Sequence, residues 1–345
     1  MIRIVLRQDL CPGDVTVMTV VPRELYRHYP GKFEISVQTN HPGIWENNPY
    51  IVHHFSLKQT VPSSYKVINL HYDVKKANDG DLHFMHAFLA DAARQLAPYG
   101  VESLPLTEFR PCICLTDEEK RRRPSIDGIL ENKPFWLIMA GGKQDVSTKW
   151  WDQSRWQHVA HRLATDPRFP LLAQVGKGGD LAVHYRLQNC ASLLDMTSLR
   201  ELIWLTYCSR GVICGVTCLM HIAAALSKPA VVVAGGREAW WWDSYDQRSF
   251  ERHERSIPEQ FRNLLPLRPP HIYLDTLGGL QCCAGGGCWK KGIGEKPVGD
   301  NCVDLLKPEH PYDRTRRVMP QPRCMTMITA DMVLDAVHKL DEAYS

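Results

Sequence analysis

The chain has 345 residues, 44% of them hydrophobic and 23% charged, and a formal net charge of +3 at neutral pH. This balance excludes a disordered or fibrous chain and suggests two globular domains, while so small a charge gives no ground for a nucleic-acid partner. No apolar run approaches the roughly 18 residues of a membrane span.

Met1 leads directly into the apolar strand Ile2-Arg3-Ile4-Val5-Leu6, with no leader-like segment before it. Twelve cysteines, mostly scattered through ordinary strand and helix patterns, fit a thiol-reducing, cytoplasmic setting. After the first strand and a loop through Pro12-Gly13-Asp14, residues 16–28 read as a helix carrying Val17, Val20, Val21 and Leu25, with Pro22 set to kink it or end its first part. Short apolar strands follow at 33–37 and 66–70. A helix of period 3.6 spans 82–96, with Phe84, Ala87, Phe88 and Ala92 on one side and His83 and His86 read as surface residues. Strands alternating with helices imply a parallel sheet.

Periodicity lapses over residues 115–134, where Asp117-Glu118-Glu119, the basic run Lys120-Arg121-Arg122-Arg123 and Pro124 read as an exposed linker. The spacing predicts domains at 1–125 and 126–345. The second half restarts with a strand at 135–139, the loop Ala140-Gly141-Gly142-Lys143, a helix at 154–164 and a strand at 171–175. Ser198 and Glu201 form a capping box ahead of Leu202, Ile203 and Leu205. A strand at 212–214 then turns through Gly215-Val216-Thr217 into a helix at 219–226, Lys228-Pro229 stops that helix, and a strand at 230–234 ends at Gly235-Gly236.

Ligands of open parallel sheets bind beyond the carboxyl ends of the strands, which singles out Gly13-Asp14, the loop at 141–149 and Gly215-Val216-Thr217. The last opens a helix whose N-terminal amides favour a phosphate, with the Thr217 hydroxyl as a further donor and His221 one turn in. Near the C-terminus, Cys283, Cys288, Cys302 and Cys324 lie in a segment, 280–325, that is rich in glycine and proline and poor in apolar period. Four thiolates suit tetrahedral iron or zinc, which would pin that segment to the second domain as a structural metal. Cys282 competes for the first ligand position, and disulfides or buried thiols are the alternative to a metal.

Gly215-Val216-Thr217-Cys218-Leu219-Met220-His221-Ile222-Ala223-Ala224-Ala225-Leu226, followed by Pro229, resembles the nucleotide-binding motif G-x-D-T-G-x-x-H-L-A-A-A-L of the ADP-heptose:lipopolysaccharide heptosyltransferase family. Thr197-Ser198-Leu199-Arg200-Glu201-Leu202 is similar to that family's T-S-L-x-E-L, Gly13-Asp14 to its N-terminal G-D, and Lys149-Trp150-Trp151 to its K-x-W. The resemblance runs through nearly the whole chain in order. It implies an α/β GT-B glycosyltransferase of two Rossmann-like domains, acceptor on the first and sugar nucleotide on the second, that inverts the anomeric carbon and needs no catalytic metal. Asp14 would be the general base, Lys149 would neutralise the diphosphate, and Gly215, Thr217 and His221 would hold the phosphates. Two positions depart from the motif: Val216 stands where it has aspartate and Cys218 where it has glycine. The Cys-rich segment resembles the branch that heptosylates bacterial autotransporter proteins, where four cysteines bind iron.

On this reading the donor is ADP-heptose or a related nucleotide sugar, and the acceptor is a hydroxyl of a glycan, a lipopolysaccharide core or a protein. Gly236, Arg237 and Glu238 would also contact the donor, Arg237 at phosphate and Glu238 at sugar hydroxyls. His71-Tyr72-Asp73 is a further acceptor-side candidate. At least one of Trp240, Trp241 and Trp242 is expected on the cleft rim, since three consecutive tryptophans cannot all face one core. Two other readings are a nucleotide-sugar epimerase of the same fold and a metal-stabilised sugar-nucleotide-binding module without catalysis.

Overall fold

A computed structural model describes residues 1–80, 82–126, 128–143, 145–178, 182–262, 269–291, 303–304 and 321–344. Two parallel sheets organise the chain. The first contains β1 (Ile2–Arg7), β2 (Phe33–Gln38), β3 (His53–Phe55) and β4 (Lys66–Asn69) in the order β3-β2-β1-β4, with Ile4 opposite both Ile35 and Lys66. The second contains β5 (Phe135–Met139), β6 (Leu171–Gly176), β7 (Ala191–Leu194), β8 (Gly211–Gly215), β9 (Ala230–Gly235) and β10 (His271–Asp275) in the order β10-β9-β8-β5-β6-β7. Helices cover both faces of this larger sheet, so β5 and β8 are buried at every position and read F-W-L-I-M and G-V-I-C-G with no alternation.

Each sheet places its first strand inside. The chain winds outward on one side of β1 and returns on the other as β4; it does the same around β5, returning as β8. Connections leave such a point toward opposite faces, and a crevice opens at the carboxyl ends of the two strands. The molecule therefore has two switch points, one between β1 and β4 and one between β5 and β8.

Among the helices are α1 (Pro12–Met18), α2 (Val20–His28), α3 (Phe84–Leu96), α4 (Gln153–Thr165), α5 (Leu199–Cys208), α6 (Cys218–Ala225), α7 (Trp240–Asp243), α8 (Gln247–His253) and α9 (Ala330–Tyr344). The expected helix at 16–28 is two helices, and the first begins four residues early. Pro12 starts it, where a missing N–H costs nothing, so Gly13 and Asp14 lie in a first helical turn and not in a loop. The break falls at Thr19: Pro22 has no N–H to give the Met18 carbonyl, and the Thr19 hydroxyl donates to the Thr16 carbonyl at 2.5 Å. The Ser198–Glu201 capping box forms as the spacing predicts. His83 is a correction, because it is buried and not on the surface. It caps α3 by accepting the Met85 N–H, while its Nε2–H donates to the Ser244 carbonyl at 3.0 Å.

The stretch between the sheets is clamped from both sides. Arg23 of α2, only 1% exposed, donates to the carbonyls of Arg110 (2.8 Å) and Glu108 (3.0 Å) and pairs with buried Glu24 at 2.7 Å. Arg200 of α5 donates to the Cys114 carbonyl at 2.8 Å and pairs with Glu119 at 2.7 Å. The basic run is only partly an open linker: Lys120 and Arg121 finish the short helix Asp117–Arg121, and Arg122 lies 4.1 Å over the Trp204 ring. Among the described residues no helix is long and apolar enough to cross a membrane.

Candidate active site

The two switch points face each other. α1 follows β1 and α6 follows β8, and their N-terminal turns touch: a Cβ on Gly13 would lie 3.2 Å from the His221 ring and 3.5 Å from Cys218 Cα. Glycine at 13 thus allows the close approach. One residue on, half-buried Asp14 accepts a 2.6 Å hydrogen bond from the Tyr72 hydroxyl. Tyr72 comes from the connection after β4, so the two strands of the first switch point deliver an acid and its partner. Burial, and then the Asp14 charge, push the Tyr72 phenol far above its ordinary range, and it remains a donor.

Across the crevice, Thr217 caps α6 without a side-chain hydrogen bond to the helix. Its Oγ is buried and meets no hydrogen-bonding partner beyond a weak interaction with the Cys214 thiol. A buried polar atom left in this state at a helix N-terminus fits an incoming anion. Gly215 ends β8 beside the Lys149 carbonyl; a Cβ there would lie 3.7 Å from that oxygen. His221 is 5% exposed, with Nδ1 2.9 Å from the Tyr245 hydroxyl and Nε2 3.7 Å from Asp243 Oδ1. Burial, reinforced by Lys149 and His271, lowers its pKa to about 3. At neutral pH it is an uncharged hydrogen-bonding ring, so the cation beside α6 is Lys149.

Lys149 follows β5 and reaches Glu238 Oε1 at 2.6 Å. Glu238, after β9, is 3% exposed and is also paired with Arg237. Burial opposes its ionisation, but Lys149 and Arg237 outweigh burial and hold the carboxyl below its ordinary value. Its second oxygen is buried without a partner. Arg237 donates from Nε to the Lys290 carbonyl at 2.7 Å. The sequence-predicted residues Asp14, Lys149, Gly215, Thr217, His221, Arg237 and Glu238 therefore converge on one crevice between the sheets.

Asp243 is the residue the sequence reading missed. It ends α7, 4% exposed, and burial raises its pKa to about 7, with Lys149 opposing the rise and Glu238 and Asp14 adding to it. It thus lies within electrostatic reach of both sides of the crevice. Its only sequence signal was its place at the end of the tryptophan run. Of those tryptophans, Trp242 is buried and stacks on Phe84 at 5.4 Å. Trp241 is half-buried and donates to the Ala77 carbonyl at 3.2 Å, and Trp240, also half-buried, lies 5.1 Å from the Arg248 guanidinium.

The cysteines gather beside the same turn. A Cβ on Gly236 would lie 3.0 Å from Cys283 Sγ, a Cβ on Gly235 would lie 3.3 Å from Cys324 Sγ, and the Cys288 N–H donates to the Gly236 carbonyl at 3.3 Å. Gly236 thus serves this cysteine cradle as well as the crevice edge. Cys302 lies outside the described residues, and among the described residues no three ligating side chains meet in metal-binding geometry.

Similarity to known proteins follows the same outline. No curated protein matches the chain by sequence. Among solved structures, a glycosyl transferase family 9 protein from Veillonella parvula DSM 2008 aligns over 99% of this chain and 97% of its own, at 13% identity and a TM-score of 0.61. The ADP-heptose lipopolysaccharide heptosyltransferase II of E. coli aligns over 99% of both chains, at 12% identity and a TM-score of 0.58. The dodecameric iron-containing heptosyltransferase TibC of enterotoxigenic E. coli H10407, solved with ADP-D-β-D-heptose, aligns over 99% of this chain and 76% of its own, at 13% identity and a TM-score of 0.57. At such identities these likenesses establish the fold: two parallel α/β sheets arranged as in GT-B heptosyltransferases. The model of glycosyltransferase family 9 (heptosyltransferase) matches residues 73–248, which run from the end of the first crevice through Lys149, Thr217, His221 and Glu238 to α8. A match over half the chain that takes in the whole second switch point makes this protein a member of glycosyltransferase family 9, and hence a glycosyltransferase.

Proposed function

We propose that the chain transfers a heptose or related sugar, with inversion, from an ADP-linked donor to a hydroxyl of a glycan, lipopolysaccharide core or protein acceptor. One observation carries this reading: a carboxylate held by a tyrosine hydroxyl, Asp14 with Tyr72, faces a helix N-terminus whose Thr217 hydroxyl is buried and weakly bonded, with Lys149 beside it. The acceptor belongs to residues 1–125 and the donor to 126–345. Asp14 takes the proton of the acceptor hydroxyl as its oxygen attacks C1 of the sugar, a contribution of roughly 10² to 10⁴ in rate. The bond from C1 to the diphosphate breaks, and the charge that gathers on the leaving oxygen is met by Lys149, the amides of α6 and the Thr217 hydroxyl. His221 contributes a hydrogen bond and no charge. Glu238 Oε2, buried without a partner, suits a donor hydroxyl, and Arg237 supports the phosphates.

The proposal extends to a structural iron or zinc held by Cys283, Cys288, Cys302 and Cys324; what supports it is that the Cys283 and Cys324 sulfurs both lie against the Gly235-Gly236 turn, with the Cys288 backbone hydrogen-bonded to the same turn. Such a metal would tie the 280–325 segment to the donor side and take no part in bond making. Cysteine usage supports a cytoplasmic setting.

Incubation with ADP-heptose and acceptor extracts, read by mass spectrometry, should show a heptose added to acceptor and ADP released. Calorimetry with ADP should show weaker binding for Thr217→Val and Lys149→Ala than for the parent. Unchanged affinity in both would move the donor elsewhere, and an isomerised donor formed without acceptor would replace transfer with epimerisation.

A further inference from the structure

The Cys-rich segment does more than lie against the donor side; it reaches across to the first sheet's half of the molecule. Asn78, in the connection between β4 and α3, makes three hydrogen bonds to it. Its Nδ2–H donates to the Gly287 carbonyl at 3.1 Å, and its Oδ1 accepts the Gly287 N–H at 2.8 Å and the Trp289 Nε1–H at 2.9 Å. The other face of residues 289–290 grips Arg237 and the residue before Lys149. The Trp289 N–H donates to the Arg237 carbonyl at 3.1 Å and the Arg237 guanidinium lies 5.5 Å from the Trp289 ring. The Lys290 carbonyl accepts from Arg237 Nε at 2.7 Å and from the Thr148 hydroxyl at 2.5 Å, one residue before Lys149.

A second observation singles out this contact. Trp289 has φ +56°, in the left-handed region that a bulky residue enters only at a free-energy cost, and such a conformation persists where its surroundings over-determine it. The determinants here are Asn78 and Arg237. Gly286 and Gly287 answer to the same pair, since a Cβ on Gly286 would lie 2.4 Å from Asn78 Cγ and one on Gly287 2.4 Å from the Arg237 carbonyl oxygen. The Asn78 connection is itself fixed from the far side, where the Trp241 indole N–H donates to the Ala77 carbonyl at 3.2 Å and Arg252 donates to the Gly80 carbonyl.

We infer that Asn78 is a positioning residue for the nucleoside diphosphate: it clasps residues 287–291 across the crevice and, through them, holds Arg237 and the Thr148–Lys149 turn in their binding positions. The inference rests on the donor site proposed above. Loss of the clasp releases Trp289 from its strained backbone, frees the Lys290 carbonyl to move, and lets both cations lose their fixed distance to the N-terminus of α6. Asn78 itself touches no donor.

The test is calorimetry with ADP on the full chain, together with donor KM and kcat. Asn78→Leu removes all three hydrogen bonds and should weaken ADP binding about tenfold and raise donor KM likewise. Asn78→Asp keeps an acceptor for both N–H donors and should recover affinity to within about threefold of the parent, since most of the clasp survives. Trp289→Phe deletes a single bond into Asn78, keeps a ring for Arg237, and should cost about threefold; it serves if the leucine variant does not fold. Parental ADP affinity in Asn78→Leu, or in Trp289→Phe where that variant stands in, overturns the inference even if the melting temperature falls, because the contact would then be structural only. Lys149→Ala separates the two failures. If it weakens ADP while the clasp variants do not, only the clasp is wrong; if it too leaves affinity unchanged, the donor site is wrong.

Discussion

Asp243→Asn should make the protein more stable at pH 8 while leaving its stability near pH 4 almost unchanged. The Asp243 carboxyl is 4% exposed, and its pKa rises from an ordinary 3.8 to about 7, chiefly because burial penalises the ionised form. A folded-state pKa above the unfolded value means that between these two pH values the folded chain holds more proton than the unfolded one. Stability therefore falls as pH climbs from about 4 to about 7 and levels off beyond. From 3.8 to about 7 is roughly 3 pH units, and at ~1.4 kcal/mol each the ionised carboxylate costs on the order of 4 kcal/mol by pH 8. Asparagine keeps the shape without the charge and removes that slope. The histidines His86, His221 and His271, whose pKa values burial lowers to about 3, give the opposite slope over part of this range, but both proteins contain them and they cancel in the difference. The assay is a series of urea-unfolding midpoints from pH 4.5 to 8.5, read by tryptophan fluorescence, comparing midpoints because a two-sheet protein need not unfold in one step. The midpoint difference should open in favour of Asp243→Asn as pH rises. Parallel curves would show that Asp243 is ionised throughout and that burial does not set its charge.

Asp14→Asn should lower turnover by roughly 10² to 10⁴ while ADP affinity stays near parental, because the amide still accepts from Tyr72 but cannot take a proton. Near-parental turnover would remove Asp14 as the base. Arg23→Met should cost roughly 3–5 kcal/mol of stability, since it strands fully buried Glu24 and two linker carbonyls; a loss below 1 kcal/mol would mean the clamp on the linker is held by other contacts. Elemental analysis of freshly purified protein should find about one iron or zinc per chain, and Cys283→Ser should lose the metal and melt at a lower temperature. Metal-free protein whose thiols titrate fully would rule the site out.

Much of the second sheet's half was legible in the sequence because its signals are local. A capping box at Ser198–Glu201, unbroken apolar runs at β5 and β8, and a glycine turn into α6 depend on neighbouring residues, and local rules are what a sequence displays. The C-terminal helix α9 was not read from the sequence; it buries Val333, Leu334, Val337 and Leu340 in the same apolar cluster as Ile213 of β8 and Val231 of β9. The loop reading of Gly13-Asp14 failed for a related reason: whether a proline opens a helix or breaks one depends on where the first hydrogen bond closes, and Pro12 and Pro22 do one each.

The sequence by itself determined seven of the ten strands of the two sheets, the glycine turn into α6, the family and the residue types able to do the chemistry. Tertiary structure alone decided which of them meet. The contacts Asp14–Tyr72, Lys149–Glu238, His221–Asp243 and Asn78–Trp289 join residues 58, 89, 22 and 211 positions apart. Charge state followed from the same packing: burial leaves His221 neutral and brings Asp243 to the edge of ionisation, and burial belongs to the folded chain as a whole. A periodic pattern records which face of an element turns inward, but not which other element it will find there. The crevice exists because two sheets reverse their winding at β1 and at β5 and present those reversals to each other, and that arrangement is a property of topology that no local stretch of residues carries.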